Sequence, residues 1–144
     1  MDLQQNKTVV RHLFEVINNG ELDQLRDVVD ANVVDHNAVI FMQPEGPGAV
    51  EDGIRLLRQG FPDLRINIEE LVAEGDQVVA RLTMSGTNTG EYRGLPAPTQ
   101  QHFRSEAIAI LRIADAKVTE IRGTTDRLGM LTQLGILPDI GQRE

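Results

Sequence analysis

Residues 60–94 constrain the fold more than any other part of this chain, because apolar and polar residues alternate twice within them. The apolar positions are Leu64, Ile66 and Ile68 in the first run and Val78, Ala80, Leu82 and Met84 in the second. A period of two is typical of β-strands that bury one face. Gly75 lies between the runs, where a tight reversal favours a residue that tolerates positive φ. The stretch therefore predicts a long β-hairpin with a fixed register.

Size and charge restrict the classes of function. The chain has 144 residues and 40% hydrophobic content, which predicts one domain, residues 1–137, followed by a polar tail, residues 138–144. The 22 Asp and Glu residues exceed the 14 Lys and Arg residues and give a net charge of −8. Because a phosphate backbone is bound through a basic surface, we expect no nucleic-acid partner.

The sequence also lacks the patterns of secreted, membrane and metal-binding proteins. Its start, MDLQQNKTVV, has no apolar core of a signal peptide, and its apolar runs are far shorter than the roughly 20 residues of a spanning helix. Cysteine is absent, and the three histidines are too scattered for a recognisable zinc motif. These patterns predict a cytoplasmic protein with no membrane role, no metal and no cofactor.

Elsewhere in the chain, the periodicity places helices before strands. The predicted helices are 5–18, 21–29, 49–59 and a last short helix after Asp126. The predicted strands are 33–36, the two runs of the hairpin, 101–113 and 116–124. Helices segregated from an antiparallel sheet define the α+β class. A curved sheet that closes around the first helices leaves a cone-shaped cavity, which suits a small apolar ligand.

Several short phrases carry a family resemblance. They are Val34-Asp35-His36-Asn37, Phe61-Pro62-Asp63, Glu74-Gly75-Asp76, Gly86-Thr87-Asn88-Thr89-Gly90, Gly94-Leu95-Pro96 with Pro98-Thr99, and the end from Asp126 to Gln133-Leu134-Gly135. In this order and spacing they resemble the SnoaL-like polyketide cyclase (ester cyclase) family, whose fold is like that of nuclear transport factor two. The resemblance implies a cone-like curved antiparallel sheet wrapped around the N-terminal helices, a small hydrophobic metabolite as ligand, and a homodimer.

At the reacting groups, however, the chain departs from the family. In characterised cyclases of this family, an aspartate and a histidine on the last two strands promote an intramolecular aldol closure without metal or cofactor. Alignment on Arg112 and the terminal Leu-Gly puts Ala109 at the histidine position and Gly123 at the aspartate position. The family mechanism therefore does not carry over directly, and the small residues Ala107 and Ala109 leave extra room for a ligand.

The candidate catalytic residues are Asp35, His36 and Asp126. The resemblance places Asp35 and His36 at or near the cavity, where an imidazole oriented by a carboxylate suits proton transfer. Adjacent strand residues point to opposite faces, so both can face the cavity only if the strand has ended. Asp126 has two interpretations, proton transfer or capping of the helix that follows it.

The candidate ligand-binding residues are Asn88, Tyr92, Ala107, Ala109, Arg122 and Gly123. Arg122 can hold a ligand carboxylate or stabilise an enolate, but with Ile121 inward it turns outward into a salt bridge. Tyr92 can donate to a substrate oxygen or cover the cavity mouth. Asn88, where many relatives have histidine, can contact a ligand or only complete a turn.

Two classes of function remain open. One is an enzyme, a cofactor-independent cyclase or isomerase, or alternatively an epoxide or ester hydrolase, that uses acid–base chemistry on a polyketide-like or other hydrophobic metabolite. The other is a noncatalytic binding or dimeric scaffold protein, which Ala109 and Gly123 favour. Because Asp35, His36, Asp126 and the Gly-Thr-Asn-Thr-Gly loop are retained, we interpret the sequence as that of the enzyme.

Overall fold

The computed structural model describes residues 2–36, 48–92 and 97–138. Its elements are α1 (Leu3–Asn19), a 3₁₀-helix (Leu22–Asp27), β1 (Val29–Asp35), α2 (Ala49–Gly60), β2 (Arg65–Glu74), β3 (Gln77–Thr87), β4 (His102–Ala114), β5 (Lys117–Thr125) and α3 (Arg127–Gln133). Asn37, the Gly94-Leu95-Pro96 phrase and the tail after Pro138 lie outside the described residues. No helix within these ranges is long and apolar enough to cross a membrane.

The first helix confirms the predicted segment 5–18 and extends it by local capping. The Asp2 carboxylate accepts a hydrogen bond from the Gln4 N–H at 2.8 Å, and Gly20 ends the helix at φ 73°. The predicted helix 21–29 is corrected to the shorter 3₁₀-helix Leu22–Asp27, because the chain already enters β1 at Val29. The apolar face of α1 is buried against the sheet through Val10, Leu13, Phe14, Val16 and Ile17.

The sheet has five strands in the order β1-β5-β4-β3-β2, and the fold is of the α+β class. The predicted hairpin is confirmed: Glu74 pairs with Gln77, and Gly75 has φ 58°. β3 and β4 pair antiparallel, as do β4 and β5. β1 instead pairs parallel with β5 at the edge, with a register shift between Val29 and Val34. The predicted α+β fold with a curved sheet is confirmed, and the parallel pairing of β1 is an edge feature that the expected antiparallel sheet did not include.

Alternate residues along β4 point to opposite faces of the sheet. Phe103, Ser105 and Leu111 are buried beneath the helices, whereas Ile108 and Ile110 are 46% and 38% exposed on the outer face. At one end of the core the Phe61 ring contacts Phe103 and Tyr92 edge to face, with ring centroids 5.0 and 5.3 Å apart. This cluster fills its end of the cone, and the space nearer α1 and α2 is left as a cavity.

Candidate active site

The cavity lies between the helices and the inner face of the sheet. Its volume is about 90 Å³, enough for several water molecules, and about 860 Å³ when all empty space out to the open mouth is counted. Apolar side chains form most of its wall. They come from α1 (Leu13, Phe14, Ile17), α2 (Val50, Ile54, Leu57), β2 and β3 (Ile66, Leu82, Met84) and the β4–β5 pair (Ala107, Ala109, Leu111, Ile121).

The β4–β5 wall of the cavity is a ladder of three cross-strand pairs that face inward. Leu111 pairs with Ile121, Ala109 with Gly123, and Ala107 with Thr125. The first pair is the deepest, with exposed fractions of 1% and 9%, and the other two pairs are partly exposed toward the mouth. Ala109 and Gly123, which the sequence alignment matched to the family's histidine and aspartate, lie directly opposite each other and place no polar side chain in the middle of the wall.

Asp35 brings a carboxylate to this cavity from the edge strand. It pairs with Ile121 across the parallel β1–β5 ladder and so shares the inner face with it. Asp35 is the single charged residue among the described residues that line the cavity. Asp35 lies on the strand next to Gly123, level with Ile121, which is two residues from Gly123 along β5.

His36 lies on the opposite face from Asp35, as strand alternation requires. The backbone N–H of His36 donates to the Ile121 carbonyl at 2.9 Å, and the imidazole Nε2 lies 3.0 Å from Glu120 Oε1. Glu120, and not Asp35, is therefore the carboxylate that orients this imidazole. His36 does not line the cavity, so the structure favours an anchoring role for it at the end of β1.

Arg122 belongs to an ion-pair network on the outside of the sheet. Its Nε donates to Glu120 Oε1 at 2.9 Å, and Arg112 bridges Glu120 Oε2 at 3.3 Å and both Asp76 oxygens at 2.8 Å. Burial acts to raise the pKa of Glu120, but the Arg112 hydrogen bond, the Arg122 charge and the His36 hydrogen bond outweigh it and lower that pKa. The hydrogen bonds that Arg112 donates to the Asp76 carboxylate, and the negative charge of that group, raise the pKa of Arg112. The outward interpretation of Arg122 is the one that the structure favours.

Asp126 caps the last helix. Its carboxylate accepts a hydrogen bond from the Gly129 N–H at 2.9 Å, which satisfies a free donor in the first turn of α3. Asp126 is exposed and does not line the cavity. Its geometry is that of the helix cap rather than of a proton-transfer group.

Asn88 and Tyr92 are buried in the scaffold and do not line the cavity. The Asn88 side-chain amide donates to the carbonyls of Gly60 at 3.2 Å and Gly90 at 3.0 Å, and its oxygen accepts from the Thr99 N–H at 2.9 Å. Tyr92 packs on Phe61 and is 5% exposed. These contacts favour the turn interpretation of Asn88 and a packing role for Tyr92.

Sequence reasoning missed Thr125, a polar residue of the cavity wall. Its side chain shares the inner face of β5 with Ile121 and Gly123, and it pairs with Ala107 near the mouth. The signal was present, because the same alternation that turns Gly123 inward also turns inward the residue two positions later. Among the described residues, the inward-facing side chains of the cavity wall thus offer a carboxylate, the Thr125 hydroxyl and apolar surface.

Helices packed inside a curved sheet, around an apolar cavity with few polar groups, define a class of small-molecule-binding α+β proteins. Within this class, comparison with a family model identifies the family. The model of the SnoaL-like polyketide cyclase family matches residues 7–134, and the chain belongs to this family.

Named relatives agree with this assignment. Aklanonic acid methyl ester cyclase AcmA of Streptomyces galilaeus is 30% identical over 128 residues, which are 88% of each chain. Nogalonic acid methyl ester cyclase of Streptomyces nogalater is 27% identical over 125 residues, 85% of this chain and 92% of that one. The structure of TsrD from Streptomyces laurentii superposes with a TM-score of 0.83 at 28% identity and covers 95% of this chain and 99% of that one.

Proposed function

We propose that this protein is a cofactor-independent cyclase that acts on a hydrophobic, polyketide-like ester, with Asp35 as the group that moves the proton. The observation that carries the proposal is the position of Asp35, an acidic side chain on an otherwise apolar cavity wall. It stands beside the bare Ala109–Gly123 pair, at which the family mechanism would have its acid and base. The polyketide esters named for the two cyclase relatives support the substrate class.

The reaction assigned to Asp35 is an intramolecular aldol closure. The carboxylate takes a proton from a carbon next to a carbonyl group, and the resulting enolate carbon attacks a second carbonyl carbon of the same molecule. A carbon–carbon bond forms as the second C=O bond opens, and the protonated Asp35 returns its proton to the alkoxide oxygen. The product is an isomer of the substrate, so the step needs no oxidant or reductant. Proton transfer by a positioned side chain contributes about 10²–10⁴-fold to such rates.

The test is turnover of aklanonic acid methyl ester and nogalonic acid methyl ester by the purified protein. Ring closure gives a product of equal mass, which chromatography and NMR separate from the substrate. Asp35→Asn keeps the shape of the side chain and removes its basicity, and we expect it to lower kcat about 100-fold or more. Full activity of the D35N variant would rule out Asp35 as the acid–base group.

Asp126→Asn is the matched control for this test. Asparagine is as good a helix cap as aspartate, so the variant keeps α3 and removes only the carboxylate. We expect its activity and its thermal stability to equal those of the parent protein. A large loss of kcat in D126N with unchanged stability would move the catalytic role from Asp35 to Asp126.

The bare Ala109–Gly123 pair also favours a second candidate function, a noncatalytic binding protein. In that case the ester substrates bind without turnover, and D35N changes affinity only. Calorimetry together with the turnover assay separates the two functions, because only the enzyme converts what it binds.

Two further predictions concern the whole protein. One is a homodimer that pairs through the outer sheet face, where Ile108 and Ile110 lie among charged residues, and light scattering tests it. The other is a cytoplasmic location.

A further inference from the structure

The second polar position of the cavity lies at the mouth of the β4–β5 ladder. Thr125 pairs with Ala107 and faces inward, and its hydroxyl has no hydrogen bond within residues 2–36, 48–92 and 97–138. A threonine hydroxyl can donate one hydrogen bond and accept others. A ligand in the cavity therefore meets a free polar group at this point.

Asp35 and Thr125 are separated by a known stretch of wall. Asp35 pairs with Ile121, and Thr125 lies four residues further along β5. Four residues of a β-strand span roughly 13 Å. After allowance for the hydrogen bonds at both ends, one ligand that reaches both groups has polar atoms about 8 to 13 Å apart. A single aromatic ring is too short to do so.

The wall between these two groups selects the shape of the ligand. Only the methyl groups of Ala107 and Ala109 and the backbone of Gly123 rise from it. Such a surface allows a flat body to lie close against the sheet, while Leu13, Phe14 and Leu57 cover the other side of the cavity. Apolar contact on both faces favours a thin, rigid, fused-ring molecule over a branched chain.

We propose that Thr125 is a second ligand-binding residue, which holds a carbonyl or hydroxyl oxygen at the far end of a flat ligand whose other polar end meets Asp35. This assignment rests on the proposed function, because it takes the cavity as the substrate site. It goes further by fixing the length of the ligand and the position of its second oxygen. Asp35 has capacity for such a contact, because a carboxylate accepts several hydrogen bonds at once.

Two probes of the same thickness test this proposal without any turnover. 2,6-Dihydroxyanthraquinone has a hydroxyl at each end, whereas 2-hydroxyanthraquinone has one, which binds the stronger acceptor, Asp35. Thr125→Val removes the hydroxyl and keeps the β-branched shape that suits a strand. We expect T125V to weaken the dihydroxy probe about fivefold to tenfold and the monohydroxy probe less than about twofold, as measured by calorimetry or fluorescence titration.

Thr119→Val is the matched control on the same strand. The Thr119 hydroxyl donates to the Arg112 carbonyl at 3.3 Å, and the residue does not line the cavity, so T119V leaves both affinities unchanged. Thermal unfolding verifies that both variants fold. Equal effects of T125V on the two probes, no effect on either, or failure of the parent protein to bind the dihydroxy probe would each overturn the proposal.

The outcome is distinguishable from failure of the proposed function. If the binding difference between the two probes is found but neither ester is converted, Thr125 is a binding residue of a noncatalytic protein. If the esters are converted and T125V behaves like T119V, the enzyme stands and the second anchor is wrong.

Discussion

The loop around Asn88 and the β4–β5 wall of the cavity use their residues in opposite ways. In the loop, the side-chain amide of Asn88 makes three hydrogen bonds to backbone groups, and the residue is 1% exposed. On the wall, Ala109 and Gly123 offer no side-chain polar group at all. The polar groups of the loop hold segments of the chain together, whereas the wall leaves space for another molecule.

A second contact extends this scaffold role. Asp63 accepts hydrogen bonds from the Thr87 N–H at 2.7 Å and the Thr87 hydroxyl at 2.8 Å. The Phe61-Pro62-Asp63 and Gly86-Thr87-Asn88-Thr89-Gly90 phrases are therefore joined in space. Gly90 is required at its position, because a Cβ there would collide with the Gln59 carbonyl oxygen. These two phrases therefore hold segments of the scaffold together, whereas the departures from the family at Ala109 and Gly123 lie on the cavity wall.

The largest effect expected from this comparison is that of Asn88→Ala on stability. The change leaves the Gly90 carbonyl and the Thr99 N–H without their side-chain partner at a position that is 1% exposed, while the Gly60 carbonyl keeps its hydrogen bond from the Gly90 N–H. We expect the free energy of unfolding to fall by about 3 kcal/mol, because each buried polar group left unpaired costs about 1–3 kcal/mol and water offsets part of the loss. Thermal unfolding should show a decrease in Tm of about 10 °C.

Thr89→Ala is the control for this change, because Thr89 is the exposed neighbour of Asn88 in the same loop. Its Tm should stay close to that of the parent protein. A stable N88A variant that no longer binds the dihydroxyanthraquinone probe would break the comparison, since the loop would then contact the ligand rather than support the fold.

On the wall, Gly123→Val should have the reverse pattern of effects. A Cβ at this position lies 3.4 Å from the Ile108 carbonyl oxygen and 3.7 Å from the Ala109 Cβ, which are ordinary contacts. Valine is also a better strand residue than glycine, so we expect unchanged or slightly higher stability. Its branches fill the middle of the wall, and the affinity for 2,6-dihydroxyanthraquinone should fall about tenfold, or about 1.4 kcal/mol.

The measurement pairs a binding titration with a melting curve on the same sample. T119V again reports the effect of a change on β5 outside the cavity. If G123V binds the probe as tightly as the parent protein, the flat ligand does not lie against the Ala109–Gly123 pair. If it unfolds instead, the bare wall is a requirement of the fold and not a space for the ligand.

Local patterns predicted much of the fold and part of the candidate site. The period-two alternation placed Ala107 and Ala109 on one face of β4, and the family resemblance at Ala109 indicated that this face lines the cavity, where the structure has both residues. The same rule separated Asp35 from His36, and Asp126 was recognised as a possible helix cap from the residues that follow it.

Contacts between distant parts of the chain could not be predicted in this way. The parallel pairing of β1 with β5 brings Asp35 beside Ile121, and no local period encodes that pairing. The partners of Asn88 come from Gly60 and Thr99, and His36 meets Glu120 on another strand. For each of these residues the type of side chain was informative, but its role depended on which distant groups of the chain the fold placed next to it.

The smallest effect expected on the scaffold side is electrostatic and concerns Asp63. Burial acts to raise the pKa of Asp63, but hydrogen bonds from the Thr87 N–H and hydroxyl, with a smaller contribution from the His102 charge, outweigh it and lower that pKa. A carboxyl group whose pKa is lower in the folded state stabilises the fold above its unfolded pKa. This stabilisation is lost as the pH falls through the folded value.

Asp63→Asn removes this charge and keeps groups that can hydrogen-bond to Thr87. Asp63 is exposed, so we expect a loss of about 1 kcal/mol or less at neutral pH. The difference in Tm between the parent protein and D63N should shrink below about pH 4 and vanish in stronger acid. Melting curves across this range measure it, with Asp126→Asn as a control that keeps its cap. A difference that stays constant down to the acid limit would mean that Asp63 supports the loop by shape alone, and the scaffold would then depend on the neutral hydrogen bonds of Asn88.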